Sequence, residues 1–282
     1  MPFDSPFLPP NFISSTVAPP ILGFMISAPL YGILLAQAGH YFRTFPDDST
    51  RVKLVVGSLV IIDTVHVVIL LSSYNQWYIQ ESFQLVLPKS FSFTPLITYI
   101  IVAICQITYA ARIWIVSKKN LWITGTVLSL ALGQFASGCV AGLEVYLNGR
   151  PLVVHQSKLF IVAEKIELST SFACDMAIMA GMVYFLKDSL SGGTGRTFTA
   201  TAQIVNRILV YVIGTGSLTS IATAVNLALW LTMPSNFYFL IIHLVLSKLY
   251  TNSLLVMLNS RAKFRRVTQQ DVIELGTIPQ GD

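Results

Sequence analysis

Seven long apolar runs are the feature of this sequence that most constrains its fold. They cover residues 17–42, 53–74, 95–116, 121–145, 159–186, 206–231 and 237–259. A helix that crosses the hydrocarbon core of a bilayer needs about 20 apolar residues, and every run reaches that length. The runs are too long for the strands of a membrane barrel and lack their period-two alternation. The sequence therefore predicts an all-α, polytopic membrane protein with seven transmembrane helices.

The composition agrees with this interpretation and excludes an ordinary soluble domain. Hydrophobic residues make up 54% of the 282 residues and charged residues only 11%, whereas soluble domains carry about 25% charged residues. We therefore expect the lipid bilayer to be the main partner. The net charge of +5 does not indicate binding to nucleic acid, because the basic residues are spread over four separate segments.

The distribution of lysine and arginine predicts the orientation. With alternate loops and helix ends assigned to one side, thirteen of the 18 basic residues fall on that side and three on the other. The remaining two, Lys165 and Lys248, lie within apolar runs. Because basic residues are enriched in cytoplasmic loops, we expect the N-terminus outside and the C-terminus in the cytoplasm. The expected location is the plasma membrane or another membrane of the secretory pathway.

This topology divides the chain into three segments. Residues 1–16 are predicted to be an extracellular, proline-rich tail, and residues 17–259 the seven-helix transmembrane domain. Residues 260–282 are predicted to be a cytoplasmic tail whose partner the sequence does not identify. In the first cytoplasmic loop, Asp48 or Ser49 is placed to cap the second helix.

Two ionisable residues of opposite charge lie near the middle of predicted helices. Lys248 is about 12 residues from either end of the last run, and Asp63 is about 10 residues into the second. A lone charge at this depth is costly, so we expect the two to pair, with His66 one turn outward. Asn252 is four residues from Lys248 and shares its helical face. The alternative is that the pair only fixes helix register.

The fifth run carries a second polar pattern. Glu164, Glu167, Ser171 and Asp175 follow one another at offsets of 3, 7 and 11 residues, which places them on one helical face. That face is predicted to line the bundle interior or a polar cavity that receives a small-molecule ligand. Hydroxyl residues and Asn226 form a stripe on the sixth helix. That stripe fits such a cavity, although helix packing alone would also explain it.

The motifs of known membrane chemistries are missing. The four histidines show no HxxxH or HExxH spacing, and no Gly-rich phosphate loop or Gly-x-Ser-x-Gly elbow occurs. We therefore expect no enzyme and assign no catalytic residue, metal or cofactor. A retinal pigment needs a lysine in the last helix and a carboxylate counterion. The third run has no acidic residue, so Asp63 would have to serve.

Four segments resemble a known family: "YFRTFPDDSTRVKLVV" (41–56), "IIDTVHVV" (61–68), "LTMPSNFYFL" (231–240) and "LSKLYTNSLLVMLNSR" (246–261). The chain resembles a family of multi-pass membrane proteins from basidiomycete fungi that carry a domain of unknown function. The resemblance is greatest over residues 202–265. It implies a fungal seven-helix protein and brings no substrate with it.

Two functional hypotheses follow from these patterns. The first is a non-enzymatic, receptor-like or sensory membrane protein with a polar intramembrane site. The second is a proton-coupled small-molecule transporter that uses the acids of the fifth helix. The helix count and orientation match receptors, but the acid–Arg–aromatic and Asn-Pro-x-x-Tyr signatures of rhodopsin-like receptors are missing. A retinal-binding protein is a third and weaker reading.

Overall fold

The chain is all-helical throughout the part that the structure describes. This computed structural model describes residues 13–76, 90–148, 157–191, 196–233 and 236–276. The predicted tail up to residue 12, most of both predicted external loops and the last six residues lie outside these ranges. After a short π-helical turn at Ile13–Val17, the helices are α1 Ala18–Thr44, α2 Thr50–Tyr74, α3 Phe93–Val116, α4 Leu121–Asn148, α5 Lys158–Ser191, α6 Arg196–Thr232 and α7 Phe239–Gly276.

Six of these helices are long and apolar enough to cross a membrane. They are α1 to α5 and the Phe239–Arg261 part of α7. In α6 the stretch Gly216–Thr232 is apolar enough for a span but shorter than the other six, among the residues that the structure describes. The prediction of a helical multi-pass membrane protein is therefore confirmed, with six candidate spans and one shorter apolar helix.

Helix α7 lies at the centre of the bundle. In its most apolar window 78% of the residues are buried, against 22–39% in the other five candidate spans. It packs against α1, α2, α3 and α6. The approach to α1 is close at Gly23, where an added Cβ would lie 3.1 Å from the backbone of Leu240 and Ile241. The other helices expose large apolar side chains on their outer surfaces, as lipid contact requires.

The buried apolar side chains form two clusters along the bundle. One contains Leu59 and Leu254, and the other contains Leu70 and Leu244. Asp63 lies between the first members of each cluster along α2, and Lys248 lies between the second members along α7. The polar residues of the two helices thus meet where one hydrophobic cluster gives way to the other.

The structure adds detail to two local predictions. The segment predicted as a cytoplasmic tail is helical over residues 260–276, because α7 continues to Gly276. Ser49 occupies the N-cap of α2 without a side-chain hydrogen bond to the helix. The carboxylate of Asp48 accepts bonds from the Tyr41 hydroxyl at 2.9 Å and from Arg261 Nη2 at 2.6 Å. A charged guanidinium is a stronger partner than a backbone N–H.

Candidate intramembrane polar site

The predicted ion pair is present at the centre of the bundle. Nζ of Lys248 lies 2.6 Å from Oδ1 of Asp63, and both side chains have no exposed surface. The other carboxylate oxygen of Asp63 accepts a hydrogen bond from Thr251 at 2.8 Å. Both oxygens are therefore bonded, and one positive charge faces one negative charge. A buried pair needs this complete bonding to offset the cost of desolvation.

His66 and Ser247 complete the surroundings of the lysine. Nδ1 of His66 lies 2.9 Å from Nζ of Lys248, and the Ser247 hydroxyl lies 3.2 Å from the same nitrogen. The ammonium group thus has three partners, which is its full number of donors. Full engagement disfavours the retinal hypothesis, because a Schiff base needs this nitrogen to be free and next to a large cavity.

Asn252 shares the helical face of Lys248, as predicted, and its amide also donates to the Lys248 carbonyl at 2.8 Å. Its amide nitrogen donates to the carbonyl of Leu30 at 3.0 Å, and its oxygen accepts from Gln37 at 3.2 Å. Both partners are on α1, whereas Lys248 bonds α2. A central helix bonds several neighbours at once, so residues on adjacent parts of one face can join different helices.

The acidic stripe of α5 lies inside the bundle, as predicted. Glu164, Glu167, Ser171 and Asp175 are all buried, with exposed fractions of 3–5%. The Tyr99 hydroxyl on α3 donates to Oε1 of Glu164 at 2.9 Å. The Gln134 amide on α4 donates to Oε1 of Glu167 at 3.2 Å. The remaining oxygen of each glutamate has no hydrogen-bond partner.

Asp175 forms the inner end of the stripe. Its Oδ2 accepts a 2.5 Å bond from the Tyr250 hydroxyl on α7 and a 3.4 Å bond from Thr223 on α6. Ser171 faces the same tyrosine hydroxyl. Tyr250 is two residues from Lys248, so α7 joins the paired cluster on α2 to the acidic stripe on α5.

The stripe carries an excess of negative groups. The described residues contain two salt bridges, Lys248–Asp63 and Arg261–Asp48, and neither involves α5. Lys165, the basic residue nearest the stripe in sequence, is exposed on the outer surface of the helix. Within the described ranges, these three buried carboxyl groups therefore have neutral donors but no cationic side chain as partner.

Asn226 and a small cavity lie on the α6 side of this site. Asn226 is fully buried, and neither polar atom of its side chain has a hydrogen-bond partner. A cavity of about 20 Å³ borders Asp175, Thr219 and Tyr250. This volume holds about one water molecule and no organic ligand. The prediction that Asn226 lines a ligand cavity stays a prediction.

The side chains in the described residues give no sign of a metal centre. No three His, Cys, Asp or Glu side chains converge within these ranges as metal ligands do. The unpartnered atoms around Glu164 and Glu167 are oxygen atoms, from these two glutamates on α5 and from Gln134 on α4.

Sequence reasoning missed the tyrosines that hold the stripe. Tyr99 packs edge-on against His243, with ring centroids 5.6 Å apart. The ring of Tyr99 also packs against α4 at Gly138, where an added Cβ would be 2.7 Å from it. A tyrosine in an apolar run is as typical of a membrane interface as of a buried site. Tyr250 lies deep within α7, but Tyr99 is near the start of α3, so its position in the run did not mark it as buried.

These features define a multi-pass helical membrane protein with a buried polar centre. Residues 171–263 match a family of unknown function, DUF6534. The matched segment includes Asp175, Asn226 and Lys248. It begins after Glu164 and Glu167 of α5 and does not include α2. No curated protein and no solved structure gives a significant match. The expected domain of unknown function is therefore present, in the part of the chain where the resemblance is greatest.

Proposed function

We propose that this chain is a non-enzymatic, receptor-like or sensory protein that crosses the membrane seven times. Its N-terminus is outside and its C-terminus is in the cytoplasm of the plasma membrane or another secretory-pathway membrane. The resemblance to the basidiomycete family supports a fungal origin for this type of protein. The polar groups at the bundle centre are the sensing site, and the helices that they join carry the response.

Two observations support seven spans. Helix α6 has 37 residues, which at about 1.5 Å each is ample for a crossing. With alternate loops assigned to opposite sides, the excess of basic residues on one side also favours an odd number of spans, with the termini placed as proposed. A glycosylation acceptor in an extended N-terminal tail should be modified, and one added after Asp282 should not. Modification of the C-terminal acceptor alone would refute this orientation.

The observation that carries the sensory proposal is the unbalanced acidic stripe. A buried carboxylate without a cation is strongly disfavoured, so these groups are stable only when protonated or matched by a bound species. The occupancy of the stripe then differs with the medium. Asp175 is bonded directly to Tyr250 on the central helix, so a change at the stripe acts on α7, which contacts four other helices.

A fluorescent reporter on the cytoplasmic side tests this proposal. Asp47 is exposed next to the Asp48–Arg261 salt bridge, and Asp47→Cys accepts a thiol label there. Cys105 and Cys174 are fully buried, and the unmodified chain gives the background from Cys139. Acid or Na⁺ should change the emission of the labelled protein in nanodiscs. The change should be absent in Asp175→Asn. An emission that neither of these probes alters would refute the sensory proposal.

The second candidate, a proton-coupled transporter, is favoured by the length of the stripe. From Glu164 to Asp175 the carboxyl groups extend about 16 Å along α5, a series of sites through which a proton can pass. Liposomes that contain the protein and an internal pH dye distinguish the two functions. Dye response to an imposed gradient, abolished by Asp175→Asn, supports transport. A reporter change without proton flux supports sensing.

A further inference from the structure

We propose that Glu164, Glu167 and Gln134 form a binding site for one monovalent cation, either a proton or Na⁺. This inference deepens the proposed function, since it names the species that the sensing site takes. The site lies on the outer half of the bundle between α4 and α5, separate from the Lys248–Asp63 pair. The proton and Na⁺ share one chemistry, because each is a single positive charge held by oxygen atoms.

The first argument is the kind of atom that is left unpartnered. Oε2 of Glu164, Oε2 of Glu167 and Oε1 of Gln134 are all buried and without a hydrogen-bond partner. All three are acceptors, so the group that would complete them is a donor or a cation. Gln134 is 3% exposed, and its amide is fixed in the site by the bond to Glu167. The amide oxygen is a ligand that acidic side chains alone would not supply.

The second argument is charge. The carboxyl groups of Glu164 and Glu167 are close enough to repel each other, and Asp175 adds to the repulsion on Glu167. The described faces of the neighbouring helices contribute Tyr99 on α3, Cys139 on α4 and His243 on α7 as titratable groups. The stretch Gly216–Thr232 of α6 has none. None of these groups supplies a positive charge as Lys248 does for Asp63.

The third argument limits the ligand. Two carboxyl groups and one amide are too few oxygen atoms for Ca²⁺, which takes six to eight ligands. Tyr99 and Gln134 each donate to one oxygen of a glutamate, so fewer oxygen atoms are left to bind an ion. A proton shared between the glutamates removes the repulsion between two ionised groups, and a desolvated Na⁺ balances one ionised glutamate while the other stays protonated.

Thermal unfolding of the purified full chain tests the site. A thiol-reactive dye reports unfolding, because Cys105 and Cys174 become accessible only then. In choline chloride at constant ionic strength, lowering the pH should raise Tm if the ion is a proton. At constant alkaline pH, replacing choline by Na⁺ should raise Tm if the ion is Na⁺. At about 100-fold excess over Kd we expect a rise of at least about 5 °C.

Variants assign the effect to this site. Glu167→Gln should remove most of the dependence of Tm on the cation, and Glu164→Gln should do the same. Glu144→Gln, a change of the same kind near the outer end of α4, should keep it. A wild-type Tm that responds to neither ion would overturn the proposal, as would equal responses in Glu167→Gln and Glu144→Gln.

A measurement on the unmodified chain covers variants that fail to fold. Dicyclohexylcarbodiimide attacks protonated carboxyl groups in apolar surroundings, so mass spectrometry should find the adduct on Glu164 or Glu167. Protection by Na⁺ would identify Na⁺, and labelling that only pH controls would identify a proton. Modification that never occurs on either glutamate would refute the site. A cation-dependent Tm without any cytoplasmic reporter change would keep the site and reject the sensory function.

Discussion

The two polar regions at the bundle centre follow opposite rules of charge. The Lys248–Asp63 cluster has one cation, one anion and a partner for each of their polar atoms. The stripe on α5 has three carboxyl groups and only neutral donors. Both regions are buried to the same degree, so burial does not explain the difference. The Lys248–Asp63 pair balances its own charges, although Nε2 of the neighbouring His66 has no hydrogen-bond partner. The stripe has no cation of its own among the described residues.

This contrast separates two uses of a charged residue in a membrane. A complete pair fixes the register of two helices, because sliding either one would strand a charge in hydrocarbon. An incomplete set makes the structure depend on what is bound. The hydroxyl of Tyr250 connects the two, since it lies on the helix of the pair and bonds the acid of the stripe.

The largest effect is expected from breaking the balanced pair. Lys248→Met and Asp63→Leu should each lower the free energy of unfolding by about 3–5 kcal/mol, because each leaves one buried charge alone. The double variant should recover much of this loss. Thermal unfolding in detergent measures all three, with Lys165→Met as the control, because Lys165 is exposed. Strictly additive losses would show that the two residues do not interact.

A smaller effect is expected from crowding the stripe. Gly138→Ala would put a Cβ 2.7 Å from the ring of Tyr99, which also bonds Glu164, so we expect a loss of about 1–3 kcal/mol. Gly133→Ala on the same helix is the matched control. Its nearest side-chain atom would be 3.9 Å away on Thr170, and alanine favours the helix. Equal stability of the two variants would mean that the ring can move freely.

Asp→Asn changes compare the two regions directly. Asp175→Asn keeps an oxygen that accepts from Tyr250 and strands no cation, so the free energy of unfolding should change by no more than about 1 kcal/mol. Asp63→Asn leaves the buried charge of Lys248 without a negative partner, so its loss of stability should resemble that of Asp63→Leu. The same unfolding assay applies to both. A loss at Asp175 as large as that at Asp63 would reveal a cationic partner and make the stripe a second balanced cluster.

The pairing was predictable from the sequence and the surroundings of the stripe were not. Lys248 and Asp63 have opposite charge and equal depth on antiparallel helices, and few alternatives exist in hydrocarbon. The face of α5 followed from spacing alone. In contrast, the partners of Glu164 and Asp175 depend on which helices surround α5, a property of the packing of the whole bundle. A single sequence does not contain this information.

The central position of α7 had a signal in the sequence. Tyr250 lies two residues from both Lys248 and Asn252, so it points away from the face that those two share. A lipid-facing helix has an apolar outer surface, and polar groups pointing in several directions indicate neighbours on several sides. The contacts of these residues with α2, α5 and α1 bear this out.

The smallest effect is expected from the Arg261–Asp48 salt bridge, which is partly exposed. Arg261 and Asp48 pair at 2.6 Å at the end of the apolar part of α7, and their side chains are 31% and 14% exposed. The guanidinium also lies 4.6 Å from the ring centroid of Phe45. Because water and salt screen such a pair, Asp48→Asn should cost only about 0.2–1 kcal/mol, and less at high salt. Thermal unfolding of this variant at low and high NaCl checks the estimate, and the Lys248→Met loss should be insensitive to the same change. A salt-independent loss comparable to that of Lys248→Met would show that this pair is shielded from water, and the contrast between interior and surface would fail.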